Sequence, residues 1–188
     1  MQEQFNVSIF TEDQIGMLNR VSIIFNRRHI NIESITASAS EVEGVHRYTI
    51  VISCTEDLVK KVVGQLDKQV DVVKAFYHRN DQIVQQEIAL YKVPTKTLVE
   101  AKMVETLIRS HGARIISIEP DFTILEKTGH KEETQQLFQE LKPFGLLEFV
   151  RSGRVVITKP MKEFREVMRE VEEAARRYVT ASSASGSV

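Results

Sequence analysis

Apolar and polar side chains alternate at the start of the chain, with Phe5, Val7 and Ile9 set against Asn6 and Ser8. A two-residue period reads as a half-buried strand, here over 5–10. After Gly16 the period changes: Leu18, Val21, Ile24 and Phe25 share one helical face and predict a helix over 17–28. Arg27-Arg28-His29 closes it, since basic residues suit the negative end of a helix dipole. A second strand is expected over 30–39, then turn chemistry in Ser40-Glu41-Val42-Glu43-Gly44. The third strand puts Tyr48, Ile50, Ile52 and Cys54 on one face and Arg47, Thr49, Val51 and Ser53 on the other. Thr55 is placed to cap a second helix, with Glu56 and Asp57 in its first turn and Leu58, Val62 and Leu66 as its apolar stripe. Residues 70–78 form the fourth strand. The order βαββαβ is the ferredoxin-like unit. Its sheet carries both helices on one side, leaving the other side or an edge free for a partner.

The same order then repeats. A strand is expected over 83–93, and Thr97 with Glu100 has capping-box spacing for a helix whose inward face is Ala101, Val104, Leu107 and Ile108. Gly112 stops that helix. Strands over 114–118 and 122–125, a helix over 131–141 and a strand over 146–150 complete the unit. Arg151-Ser152-Gly153-Arg154 reads as a hairpin turn into 155–158. Ile32-Glu33-Ser34-Ile35 and Ile115-Ile116-Ser117-Ile118 are local echoes after the first helix of each unit. Beyond them, Pro160 suits a helix start, and Phe164, Val167, Val171, Ala174 and Tyr178 give one face of a terminal helix, with Glu172–Arg176 and Glu173–Arg177 as i,i+4 pairs. The Ser-, Ala- and Gly-rich tail from Thr180 is expected to be disordered. The fold class expected is therefore α+β: two ferredoxin-like units in tandem, 1–79 and 80–158, with a C-terminal helix and tail over 159–188.

The 188-residue chain has a net charge of −1, with both signs mixed throughout. That argues against a nucleic-acid partner, which calls for a basic excess. The lone cysteine, Cys54, excludes a disulfide framework and reads as a small buried hydrophobe. No apolar leader or membrane-length stretch is present, so a soluble, cytoplasmic protein is expected. The glycines form neither a dinucleotide fingerprint nor a P-loop, and the five histidines sit at element ends without metal-ligand spacing. Glu132-Glu133 and Glu172-Glu173 are helix neighbours that cannot converge on one bond. No catalytic constellation and no metal site is expected.

The candidate chemistry lies between the first strand and first helix. Thr11 to Gly16 is a strand-to-helix loop ending at a glycine, which admits close backbone approach. The helix that follows opens with unpaired N–H groups and a positive dipole end, a setting for a small carboxylate. A plain βα turn has the same spacing.

Glu12-Asp13-Gln14-Ile15-Gly16-Met17-Leu18-Asn19-Arg20-Val21-Ser22-Ile23-Ile24-Phe25, followed by Arg28 and Asn31-Ile32-Glu33-Ser34-Ile35, resembles the start of the ACT domain in the regulatory (small) subunit of acetolactate synthase. The resemblance continues through Val70-Asp71-Val72-Val73-Lys74, Glu87-Ile88-Ala89-Leu90 and Glu148-Phe149-Val150-Arg151-Ser152-Gly153, covering residues up to 158. It implies an N-terminal ACT domain and a non-catalytic subunit without a cofactor of its own. Such a subunit binds the large, thiamine-diphosphate-dependent catalytic subunit, activates it, and confers feedback inhibition by a branched-chain amino acid, valine first. It also implies a homodimer through ACT domains, with no nucleic acid or membrane partner. The effector would sit between two ACT domains, held by the first loop of one and the start of the second strand of the other.

The implied effector-binding residues are Asp13, Gln14, Ile15, Gly16, Met17, Asn31, Ile32 and Ile35. Amides around Gly16 and Met17 suit the carboxylate, Asp13 the ammonium, Asn31 either group through its amide, and Ile15 and Ile35 the apolar side chain. Asn31 alone reads equally as a side chain closing the turn into strand two. Two positions depart from the family pattern: Asp13 stands where an asparagine is usual, and His29 where a glycine is usual. A stand-alone ACT-type amino-acid sensor controlling transcription or another enzyme is the alternative. A sheet-surface RNA binder would need exposed aromatics that Tyr48 alone does not supply.

Overall fold

A computed structural model describes residues 2–100, 102–159, 165–174 and 176. The chain divides by its contacts into two compact units, Met1–Val84 with the described residues of Val156–Val188, and Gln85–Val155.

The first unit contains β1 (Glu3–Glu12), α1 (Met17–Asn26), β2 (Ile32–Ala39), β3 (Val45–Cys54), α2 (Glu56–Leu66) and β4 (Val72–Arg79). Its four strands lie in the order β2-β3-β1-β4, and every pairing is antiparallel. The alternation in β1 and β3 sends Phe5, Val7, Ile9, Ile50 and Ile52 into a core shared with both helices. From α1 the buried side chains are Met17, Val21, Ile24 and Phe25, while the expected Leu18 is 49% exposed. The helix starts at Met17, so its inward stripe runs i, i+4, i+7, i+8 from there and Leu18 falls outside it. Thr55 occupies the N-cap of α2, but its side chain makes no capping bond; its carbonyl accepts from Leu58 and Val59 at 3.0 and 3.1 Å. β4 begins at Val72, not at Val70, because a turn closed by Val72 N–H to Gln69 O at 3.2 Å leaves Val70 in solvent.

The outer face of this sheet, expected to be open, is partly covered by the chain's own terminal helix. That helix, α6, is described over 165–174. Val171 is fully buried against Phe10 and Val45, with Val167 and Met168 beside it. Lys74 Nζ meets Glu170 at 2.8 Å, and this contact holds the lysine above its usual pKa range. Arg169 and Glu173 pair along the helix at 3.6 Å. Pro160, Phe164, Arg177, Tyr178 and the tail lie outside the described residues.

The second unit repeats the plan with β5 (Ile83–Pro94), α3 (Thr95–Glu100), α4 (Lys102–Ser110), β6 (Arg114–Ile118), β7 (Phe122–Gly129), α5 (Lys131–Leu141) and β8 (Glu148–Arg151). The strand order β6-β7-β5-β8 matches the first unit strand for strand. Tyr91, Leu125, Leu137 and Leu141 are fully buried, and the Tyr91 hydroxyl donates to Thr134 O at 2.7 Å. The expected cap at Thr97 is displaced: α3 starts two residues earlier, and the Thr97 hydroxyl donates to Phe144 O at 3.3 Å. Ala101 lies outside the described residues. β9 (Val155–Thr158) pairs with β5, so the expected hairpin with β8 does not form. Ser152 ties the intervening turn to β5, its N–H donating to Ile88 O at 2.8 Å and its hydroxyl accepting from Ile88 N–H at 2.9 Å.

The sequence echo has a structural counterpart. β2 shifts register between Ile32 and Ser34, and β6 between Ile115 and Ser117. Glu33 and Ile116 thus occupy the same bulge in the two units.

Candidate functional site

β1 delivers the chain to the loop ahead of α1, and backbone bonds fix its path. Glu12 N–H donates to Asp71 O at 3.1 Å, and Asp13 N–H donates to Gly44 O at 3.0 Å. Gly16, the residue before α1, has φ 88° and ψ 0°, a left-handed conformation that strains an L side chain. No atom stands within 4 Å of where a Cβ would project, so the glycine faces open space. No side chain caps α1, and its first turn carries no acidic residue. The first-turn donors are therefore left for an acceptor from outside the helix.

Around this opening the side chains divide by role. Ile15 is fully exposed, and Leu18 joins it on the solvent side of α1. Asp13 is exposed, with His46 Nε2 at 3.6 Å from its Oδ1. Gln14 donates through Nε2 to the Glu12 carboxylate. Met17 is buried in the core, so only its backbone can face a ligand, and that N–H makes a long 3.4 Å contact with Gln14 O.

Asn31 lies at the other end of α1. The helix exit is closed without it. His29 takes the left-handed conformation at φ 55°, its N–H donates to Asn26 O at 3.0 Å, and Ile30 N–H donates to Phe25 O at 3.1 Å. The exposed Asn31 amide has no hydrogen-bond partner among the described residues, so it is not spent on the turn. It lines an open pocket of about 360 Å³ with His29, Glu33, Ser53, Cys54 and Thr55. Cys54 is buried, and that burial pushes its thiol above the usual range. Ile32 and Ile35 pack against the core from the edge strand β2 and remain partly exposed.

The residues named from sequence thus fall into two separate groups. Asp13, Gln14, Ile15, Gly16 and the Met17 amide gather before α1; Asn31, Ile32 and Ile35 follow it. Ten helical residues separate the groups, or about 15 Å at 1.5 Å per residue. One amino acid does not bridge that distance within a single chain. What the sequence reading missed is His46, whose ring reaches Asp13 from β3; only the β1–β3 pairing brings the two loops together. Among the described residues the second unit has no equivalent opening, because β5 passes directly from Pro94 into α3 at Thr95.

Two family models match the chain: an acetolactate synthase (AHAS) small subunit-like ACT domain over residues 7–74, and the small subunit of acetolactate synthase over 86–160. The chain is 31% identical over 153 residues to the acetolactate synthase small subunit of Mycolicibacterium smegmatis, covering 81% of this chain and 89% of that one. It is 32% identical over 154 residues to the Bacillus subtilis acetolactate synthase small subunit, with the same coverage of each. A solved acetolactate synthase small subunit from Thermotoga maritima has a similar structure, with a TM-score of 0.76 at 26% identity, covering 84% of this chain and 98% of that one.

Proposed function

The chain belongs to the acetolactate synthase small-subunit family, and on that premise we propose that it is the regulatory subunit of an acetolactate synthase, controlled by a branched-chain amino acid, with valine as first candidate. It works without catalysis of its own, by joining the large, thiamine-diphosphate-dependent subunit, raising its activity and transmitting the inhibitor's signal.

The observation that carries this reading is the division of the site. An uncapped loop lies at one end of α1, and an unspent asparagine amide in an open pocket lies at the other. A second copy unites them. β2 is an edge strand, and edge strands invite pairing. Antiparallel pairing of β2 with the same strand of another copy sets the start of one strand beside the end of the other. Asn31 of one copy then comes to the loop of its partner. The first-turn N–H groups take the amino acid's carboxylate, Asp13 its ammonium, and the Asn31 amide of the second copy completes the grip. Ile15 and Ile35 supply the apolar wall, with Gln14 and Ile32 at its margins. Binding at such a seam favours one arrangement of the dimer over others, and a coupling of about 1–3 kcal/mol changes affinity roughly 5–150-fold.

Calorimetry with valine, isoleucine and leucine tests the site. Asn31→Ala is the cleaner variant, because the amide makes no hydrogen bond among the described residues. It is expected to lose about 1–3 kcal/mol of binding, or roughly 5–150-fold in Kd, with the fold intact. Gly16→Asp sets a carboxylate at the opening and is expected to abolish binding. Wild-type titration curves from both variants would remove the site. Added to a matching large subunit, the protein is expected to raise pyruvate consumption and make it sensitive to the bound amino acid; an unchanged rate would end the regulatory assignment.

A further inference from the structure

The terminal helix lies beyond both matched segments, which end at residues 74 and 160. It nevertheless sits against the strand ends that carry the ligand loop. We propose that α6 positions this loop, with Val171 as the positioning residue; the proposal deepens the regulatory reading above and rests on it for the identity of the ligand.

The connection is short and continuous. Val171 is fully buried against Phe10 and Val45. Phe10 lies on β1 three residues before Asp13. Val45 opens β3 directly opposite Glu12 in the strand register. Its neighbour Gly44 provides the carbonyl that accepts the Asp13 N–H. The two residues under Val171 are thus the two that bracket the loop's base. Val167 and Met168 extend the contact toward Val73 and Phe76 of β4, and Lys74 with Glu170 fastens it at 2.8 Å. Upstream of the helix, Arg47 Nη2 donates to Val156 O at 3.1 Å, and its guanidinium lies over the Phe10 ring at 5.4 Å. The segment after β8 therefore touches β1, β3 and β4 at one end of the sheet.

Packed side chains of this kind transmit displacement because an interior has little free space to absorb it. With α6 docked, Phe10 and Val45 are held and the loop is offered in one conformation. With α6 released, Phe10 meets water, the β1–β3 end loosens, and the loop must be ordered by the ligand. That ordering is subtracted from binding.

Val171→Asp in the full chain places a carboxylate in the buried contact and releases α6. Hydrogen exchange followed residue by residue is the first readout and needs no ligand. Amides of Glu12, Asp13 and Val45, each hydrogen-bonded with α6 docked, are expected to exchange about tenfold faster, while those of α2 and α5 keep wild-type rates. Val171→Ala gives the same pattern at smaller amplitude. Valine titration is the second readout, with Kd expected to rise about fivefold or more. Faster exchange at 167–171 with unchanged exchange in the loop would overturn the proposal. Uniform acceleration across the whole first unit, the mark of a merely structural helix, would overturn it as well. Should the wild type take up none of the three amino acids, the regulatory reading falls, and the exchange comparison still decides the role of α6.

Discussion

His29 shows at the scale of one residue how the pocket beside Asn31 is kept open. A non-glycine residue at φ 55° carries strain of about 1–2 kcal/mol, although histidine enters this region more readily than branched side chains do. The strain closes the helix exit through backbone bonds and spares the Asn31 amide for other work. His29→Gly relieves that strain and adds roughly 0.4–1 kcal/mol of chain entropy to the unfolded state. The net expectation is a gain of about 0.5–1 kcal/mol, seen as a higher urea midpoint at unchanged slope. A lower midpoint would mean that the imidazole, which lines the Asn31 pocket, contributes more to folding than its backbone costs.

The elements were legible where burial is one-sided, and less so where a side chain acts locally. β6 and α5 fall on the expected residues because the apolar positions of each follow a single period. The start of α3 departs from the expected Thr97 because two threonines stand two residues apart and either can open a helix; Thr95 does so, with its hydroxyl donating to Glu119 O at 2.7 Å. The cap of α5 was invisible for another reason. It is built by His130, an uncommon capping residue, whose N–H donates to Glu133 Oε2 at 2.6 Å. Gly129 makes room for it: a Cβ there would stand 2.7 Å from the same Glu133 oxygen. Gly129→Ala is expected to push the carboxylate off the cap and cost about 0.5–2 kcal/mol, read as an earlier denaturation midpoint. Glu133→Gln in the same background should add little if the cap is already lost. At the candidate site, Gly16 and the uncapped helix start were readable from the change in hydrophobic period. The freedom of Asn31 was not, since it depends on a turn closed by its neighbours. Nor was the fate of the sheet's outer face, because the stripe of α6 shows that the helix packs without showing on what.

Across the described residues, one plan is used twice, and the glycine-ended loop before the first helix occurs in the first unit alone. The bulges at Glu33 and Ile116 and the matching strand orders make β2 and β6 equivalent. Yet β5 enters α3 without a glycine-ended loop, so the described residues of each chain offer one such opening and one Asn31 pocket. These two openings lie at opposite ends of α1, and in the proposed dimer a symmetric pair of chains would complete two equal sites along one seam. The proposed arrangement would tie ligand binding to association. Ala37 is exposed on the edge strand β2, and it touches neither the Gly16 loop nor the Asn31 pocket. Ala37→Lys brings two ammonium groups to the proposed seam and marks the strand with the charge that discourages edge pairing. As a surface change it should leave chain stability within about 0.5 kcal/mol. Light scattering is expected to report the mass of one chain where the wild type reports two, and valine binding should disappear with the partner. A single-chain Ala37→Lys protein that still bound valine with wild-type affinity would place the whole site inside one copy, against the 15 Å that α1 sets between its halves (about ten residues at 1.5 Å each).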